Sequence, residues 1–200
     1  MTHFVYVVDD DTDMREALAD LLSAAERNVV TFGSASEYLA FPRPDVAACL
    51  VLDLDLPDIH GLALQSQLAD GTHPPIVFLT GYGDIPSSVR ALKAGAVDFL
   101  TKPCRDVALL EAVDAAIARD REARLARADT QVLECRFATL SPRERDVLPL
   151  IVQGLLNKQA AATLGISETT LQFHRRQVFA KMQAGSVAEL VRMSARLGIG

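Results

Sequence analysis

Carboxylates, a hydroxyl and an ammonium group stand where apolar runs end, at Asp9-Asp10, Asp53, Asp55, Thr80 and Lys102. The run Cys49-Leu-Val-Leu-Asp53-Leu-Asp55-Leu-Pro57-Asp58 passes abruptly from aliphatic residues to carboxylates and a proline. A short Leu and Val run bounded by turn residues predicts a buried parallel strand with Asp53 at its carboxyl end, the edge where open α/β sheets bind ligands. Aspartate also commonly begins a turn, so Asp53 alone decides nothing. If the strand Phe4 to Val8 lies beside it, Asp9 and Asp10 arrive next to Asp53. Three carboxylates at one edge repel one another and call for a cation. Hard oxygen ligands with room for water and a phosphate suit Mg2+ better than zinc. A carboxylate beside Mg2+ can act as a nucleophile and form an aspartyl phosphate. Asp53 is the candidate nucleophile, with Asp9 and Asp10 as metal ligands, directly or through water.

Two further strand ends supply what such a phosphate needs. Thr80 offers a hydroxyl donor and Lys102 a compact positive charge, and a cis Lys102-Pro103 bond would aim that lysine back into the pocket. Each is singly an ordinary turn residue; their joint placement is the signal. The elements that must position them read as five strands, Phe4 to Val8, Val29 to Phe32, Cys49 to Leu52, Ile76 to Leu79 and Val97 to Leu100, alternating with helical patterns. Met14, Leu18, Leu21, Leu22 and Ala25 share one helical face, and Ser34-x-x-Glu37 has the form of a capping box. Leu62 to Leu68, Val89 to Ala94 and Asp106 to Ile117 supply the remaining helices. The alternation predicts a doubly wound, five-stranded parallel sheet over residues 1–120.

Half of the 200 residues are apolar, enough for one substantial core or two modest ones, and two domains are expected. No signal-peptide pattern or membrane-length apolar stretch is evident, so a soluble, cytoplasmic protein that does not engage membranes is expected. Cys49, Cys104 and Cys135 are odd in number, widely spaced and lack zinc-ligand histidines, which predicts reduced, structural thiols. The net charge of −6 hides a division: residues 1–120 hold 8 Lys and Arg against 19 Asp and Glu, whereas residues 121–200 hold 12 against 7. A basic second half suggests a polyanionic partner.

From Cys104 to Ser141 there is no proline or glycine. Residues 121–136 therefore read as a helical linker continuing the fifth helix, with a break near residue 120 as the alternative. Residues 137–200 read as four short capped helices. Ser141-Pro142-Arg-Glu144 opens the first and Gly154 closes it; Asn157 to Leu164 ends at Gly165; Ser167 caps Glu168 to about Met182; Ser186-x-x-Glu189 caps the last. Pro149 inside the first of these should cost a backbone hydrogen bond. The pair joined by Leu164-Gly165-Ile166-Ser167 makes a helix-turn-helix, whose second helix enters the major groove. Leu171 and Val178 lie a heptad apart and face the core, leaving Gln172, Phe173 and Arg176 outward with Arg175 beside them. Gln172 suits adenine, Arg176 guanine and Phe173 thymine methyl groups. Lys158, Thr170, Arg175 and Lys181 are candidate phosphate contacts, although an arginine pair is also what a solvated helix face carries.

These residues resemble a known architecture. Asp9-Asp10, Asp53, Thr80 and Lys102 match the acid pair, phosphoacceptor, switch hydroxyl and lysine of the receiver domain of two-component response regulators, and Phe99 matches its switch aromatic. Leu140-Ser-Pro-Arg-Glu-Arg145, Gly154-Leu-Leu-Asn-Lys158 and Ile166-Ser-Glu-Thr-Thr-Leu-Gln-Phe-His174 resemble the LuxR-type DNA-binding domain, in the order of the NarL/FixJ class. The resemblance implies a non-enzymatic transcriptional regulator that accepts a phosphoryl group on Asp53 from a sensor histidine kinase. It further implies Mg2+ held by Asp9, Asp10, Asp53 and the Asp55 backbone carbonyl, and Thr80 and Phe99 as the switch. Promoter DNA, a phosphorylation-dependent homodimer and RNA polymerase are the implied partners. The alternative for Phe99 is a permanently buried core aromatic. Asp55 and Tyr82 depart from the common receiver pattern at positions bordering the phosphate; Asp55 would either repel phosphate or order a water. Two rivals remain at this level. One is a phosphatase of the haloacid dehalogenase type, which Asp53-x-Asp55 resembles; the other is a DNA-binding protein indifferent to phosphorylation.

Overall fold

The computed structural model describes residues 3–68, 73–81 and 83–199, so Tyr82 lies outside the described residues. The chain forms two compact units, Met1–Arg124 and Leu125–Gly200. In the first, β1 (Phe4–Val8), β2 (Asn28–Phe32), β3 (Ala48–Leu52), β4 (Ile76–Thr80) and β5 (Asp98–Thr101) form a parallel sheet in the order β2-β1-β3-β4-β5. Helices α1 (Thr12–Ala24), α2 (Ala35–Ala40), α3 (Gly61–Gln67), α4 (Ile85–Lys93) and α5 (Asp106–Ala138) alternate with the strands. The sheet explains why its central strands are continuously apolar. Along β1 and β3, Tyr6, Val8, Leu50 and Leu52 pack into a core on one face, while Val5, Val7, Cys49 and Val51 pack into a second core on the other.

The start of α4 differs from the sequence reading for a local reason. Helix α4 starts at Ile85 because the Asp84 carboxylate accepts the Ser87 N–H at 2.8 Å and Pro86 fits the first turn. The fifth helix is one element from Asp106 to Ala138, so residues 121–136 continue it and the alternative break near residue 120 is absent. The expected capping box of α2 also differs. Ser34 Oγ accepts the Glu37 N–H at 3.2 Å, but the Glu37 carboxylate accepts from Gly33 rather than Ser34. Asp58 completes that helix start by accepting the Ala35 and Ser36 N–H groups and the Ser36 hydroxyl.

One glycine is required by close approach. A Cβ at Gly61 would lie 2.5 Å from the Asp53 carbonyl oxygen and 3.0 Å from Leu54 Cα, because the Gly61 N–H donates to the Leu54 carbonyl at 2.7 Å. This contact seats α3 against the end of β3. Gly61→Ala should therefore destabilise the first unit by about 1–3 kcal/mol through overpacking against backbone. A urea unfolding midpoint equal to the parent's would show that the loop after Asp53 yields freely.

The second unit is helical: the end of α5, then α6 (Pro142–Val152), α7 (Asn157–Leu164), α8 (Glu168–Met182) and α9 (Val187–Arg196). Ser141 and Glu144 form a reciprocal capping box, and α6 runs through Pro149. Gly154 and Gly165 sit at φ 79° and 66°, the left-handed conformation that ends α6 and α7. Leu140, Val147, Leu148, Ile151, Leu171 and Val178 belong to its core. Cys49 is buried, Cys104 half-buried and Cys135 exposed on α5.

Candidate functional site

The register pairs Val8 with Leu52, so Asp9 and Asp53 leave adjacent strands side by side. Candidate ligand atoms of Asp9, Asp10 and Asp53 all lie within 4.8 Å of one another. Asp9 and Asp53 are buried and Asp10 is exposed, so the cluster opens to solvent through Asp10. The Lys102 ammonium reaches across from the end of β5, donating to Asp9 Oδ2 at 2.5 Å and to Asp53 Oδ2 at 2.7 Å. Burial works against the lysine charge, but the hydrogen bonds to Asp53 and Asp9 prevail and hold its pKa above the ordinary lysine value. The Lys102-Pro103 bond is cis.

Backbone geometry fixes the carboxylates. The Leu54 N–H donates to Asp53 Oδ1 at 2.6 Å, and the Asp11 N–H donates to Asp9 Oδ1 at 3.0 Å. The Asp9 carbonyl accepts from Arg15 Nη1 at 2.7 Å, a support that nothing in the spacing of Arg15 announces. Asp55 is exposed and its backbone pairs with His60. Thr80 is fully buried at the end of β4, and its carbonyl accepts the Lys102 N–H at 2.8 Å, locking two strand ends together. Phe99 is half-buried, with its ring centroid 5.9 Å from that of Phe78. Gly83 passes so close that a Cβ there would lie 2.9 Å from Phe99 Cε1.

Three carboxylates against one ammonium leave two unbalanced negative charges in a partly buried pocket. The donor set is all hard oxygen, so it fits a divalent cation such as Mg2+, with an exposed ligand left for water and phosphate oxygens.

On the second unit, α7 and α8 form the helix-turn-helix. Leu171, Val178 and Met182 are buried, while Gln172, Phe173 and Arg176 are exposed on α8 and Arg175 is half-buried. Gln172, Arg175, Arg176 and Phe179 line a hollow of about 370 Å3 together with Asn157, a residue the sequence reading did not single out. Its only signal was its place at the first position of α7, where it was read as the helix start. Lys158 is exposed beside it. Thr170 Oγ1 lies 2.8 Å from Ser167 Oγ at the start of α8.

Lys181, a candidate phosphate contact, is half-buried beside Glu144. Its Nζ donates to Glu144 Oε2 at 2.7 Å, because a buried carboxylate needs a cation beside it. Burial opposes the Glu144 charge, yet Lys181 and the Ser141 N–H hold its carboxyl below the ordinary glutamate value. A depressed folded-state pKa gives stability that is present above the unfolded value near 4.3 and is lost as pH falls through the folded one. Glu144→Gln should therefore flatten the stability of the helical unit between about pH 5 and 3. Parallel unfolding curves for parent and variant over that range would show that the pair contributes nothing.

Strand-end acids facing a lysine mark one unit, and a helix-turn-helix with an exposed second helix marks the other. Comparison with known proteins agrees. Residues 5–114 match the family model of the response regulator receiver domain, and residues 138–194 that of the bacterial regulatory proteins of the luxR family. Nodulation protein W of Bradyrhizobium diazoefficiens is 52% identical over 196 residues, covering 98% of this chain and 86% of that protein. The transcriptional regulatory protein FixJ of Azorhizobium caulinodans is 42% identical over 196 residues, covering 98% and 93%. The solved response regulator StyR aligns with a TM-score of 0.83 at 44% identity, covering 98% of this chain and 100% of StyR. The chain belongs to the two-component response regulators of the NarL/FixJ class, with a receiver domain and a LuxR-type helix-turn-helix domain. A receiver implies a histidine kinase as partner, and a LuxR-type domain implies binding to DNA. The family is one of transcriptional regulators, which removes the support for a haloacid dehalogenase type of phosphatase. Among the described residues no helix is long and apolar enough to cross a membrane.

Proposed function

We propose that this chain is a phosphorylation-switched transcription factor whose acceptor is Asp53. The observation that carries the proposal is the Lys102 ammonium bridging Asp9 and Asp53 inside the three-carboxylate cluster. In the reaction, an Asp53 carboxylate oxygen attacks the phosphorus of a kinase phosphohistidine. The N–P bond breaks, its electron pair returns to the imidazole nitrogen, and an acyl phosphate forms on Asp53. Mg2+, held by Asp9, Asp10, Asp53 and the Asp55 carbonyl, would offset the phosphoryl charge when bound. Lys102 exchanges its carboxylate contact at Asp53 for a phosphoryl oxygen, and the Thr80 hydroxyl supplies a second donor. Asp55, exposed at the rim, bears on the lifetime of the phosphate.

The remote readout needs an element with two states. Thr80, Phe99 and the surface from Ile85 to Leu100 are the proposed element; Ile85, Val89 and Leu92 are exposed there on α4. Phosphorylation favours dimerisation through this surface, and two linked helix-turn-helix domains then engage adjacent half-sites with affinity gained from effective concentration. RNA polymerase is the further partner of the DNA-bound form.

The test measures mass and DNA binding in parallel, with and without a small-molecule phosphodonor and Mg2+. Donor-dependent dimerisation with tighter DNA binding supports the proposal. DNA affinity indifferent to the donor despite full labelling would support the phosphorylation-independent reading. Thr80→Ala should accept phosphate yet dimerise about tenfold more weakly, separating labelling from assembly. If phosphorylated Thr80→Ala dimerises as tightly as the parent, the switch runs by another route.

A further inference from the structure

The two buried carboxylates of the acidic site, Asp9 and Asp53, are held by Lys102 and by the Asp11 and Leu54 N–H groups. Asp10 is placed differently. It is exposed on the turn from β1 into α1, so its carboxylate goes where the backbone of residues 9–12 carries it. That stretch holds Asp9, Asp10 and Asp11 in succession, and like charges so close together push a turn open. A turn that presents metal ligands under such repulsion needs a brace.

Arg15 supplies one. From the first turn of α1 it reaches back, donating Nη1 to the Asp9 carbonyl at 2.7 Å and Nη2 to Thr12 Oγ1 at 2.9 Å. These acceptors stand at the two ends of residues 9–12, so one planar guanidinium spans the turn, with Asp10 and Asp11 between its contacts. The Asp11 carboxylate accepts the Asp13 and Met14 N–H groups and so caps α1. Arg15 is half-buried and both its acceptors are neutral oxygens, although Asp9, Asp10, Asp11 and Asp13 all lie within six residues of it. A guanidinium that served to neutralise the cluster would sit on a carboxylate. This one holds a backbone carbonyl and a hydroxyl, and leaves the carboxylate oxygens to a cation.

We infer that Arg15 is a positioning residue for the divalent-metal site: by bridging the Asp9 carbonyl and Thr12 it fixes the turn that keeps the Asp10 carboxylate within reach of Asp9 and Asp53. The inference rests on the proposed Mg2+ site and adds to it a residue that touches no metal. Groups that orient metal ligands typically matter by roughly 10- to 100-fold in affinity. Charge alone predicts the opposite sign, since deleting a cation beside three carboxylates strengthens their attraction for Mg2+. Position and charge therefore separate in one measurement.

The test uses the full chain, with free Mn2+ counted by electron paramagnetic resonance and Mg2+ affinity read by competition; both cations suit oxygen ligands. Arg15→Met is expected to weaken both affinities about tenfold and Thr12→Val about threefold. Arg15→Lys, which keeps the charge and loses the planar fork, should fall between the parent and Arg15→Met. The Mg2+ concentration for half-maximal labelling of Asp53 should rise in the same order, while the rate at saturating Mg2+ stays within about twofold of the parent's. Urea midpoints check the fold, and Thr12→Val, which removes a single contact, carries the test if Arg15→Met unfolds. Metal binding equal to or tighter than the parent's in Arg15→Met and Thr12→Val, with Asp10→Ala weakened, would overturn the inference and leave Arg15 a surface charge. A fall in the rate at saturating Mg2+ with unchanged metal affinity would also overturn it, by making Arg15 a contact of the phosphodonor. Metal binding that Asp10→Ala leaves unchanged would overturn the metal site itself, and the inference with it.

Discussion

Asp53→Asn is expected to lower stable phosphoryl labelling by roughly two orders of magnitude or more, while the receiver stays folded. The amide keeps the shape of the carboxylate and can still accept the Leu54 N–H that fixes Asp53 Oδ1. It lacks the anionic oxygen that attacks phosphorus, and it removes one of the two carboxylates that Lys102 bridges. Intact mass spectrometry after incubation with a phosphodonor and Mg2+ measures the effect directly. Labelling of the variant at the parent's level would move the acceptor to another residue, with Asp10 and Asp55 the nearest exposed carboxylates of the cluster's rim.

Arg176→Ala is expected to cost about 1–3 kcal/mol at the cognate site, a loss of about 5- to 150-fold, and to relax preference at one base position. Arg176 is exposed on α8, and its planar fork fits the two major-groove acceptors of guanine. Lys158, exposed at the start of α7, makes the contrasting case. Lys158→Ala should weaken binding to all sequences alike and reduce the salt slope by about 1, because a phosphate contact releases a counterion and reads no base. Binding-site selection on both variants at one stated salt concentration separates the two roles. A loss of base preference in Lys158→Ala, with none in Arg176→Ala, would exchange them.

Asp53 shows where local signals suffice. Apolar runs that end in carboxylates identify parallel strands and the edge that carries ligands, because burial on both faces makes those strands continuously apolar and turn chemistry ends them. Asp9, Asp10, Asp53, Thr80 and Lys102 were legible for that reason, as was the outward face of α8 from the heptad of Leu171 and Val178. Caps were legible where the side chain satisfies its own helix start, as at Ser141 and Glu144, and misread where a distant group takes part, as Asp58 does for α2.

What the tertiary structure decided are the contacts whose partners lie far apart in the chain. Lys102 meets Asp9 and Asp53 across 93 and 49 residues, a convergence that strand order makes and no local spacing encodes. Lys181 is paired with Glu144, 37 residues away, since a side chain's partner depends on which charges folding buries beside it. Gly61 is needed only because the Asp53 carbonyl comes so near. Periodicity and caps act within a few residues and so determine the elements and the ends of strands. Side-chain direction, burial and charge pairing depend on the whole packed molecule, which is why they appear only once the chain is folded.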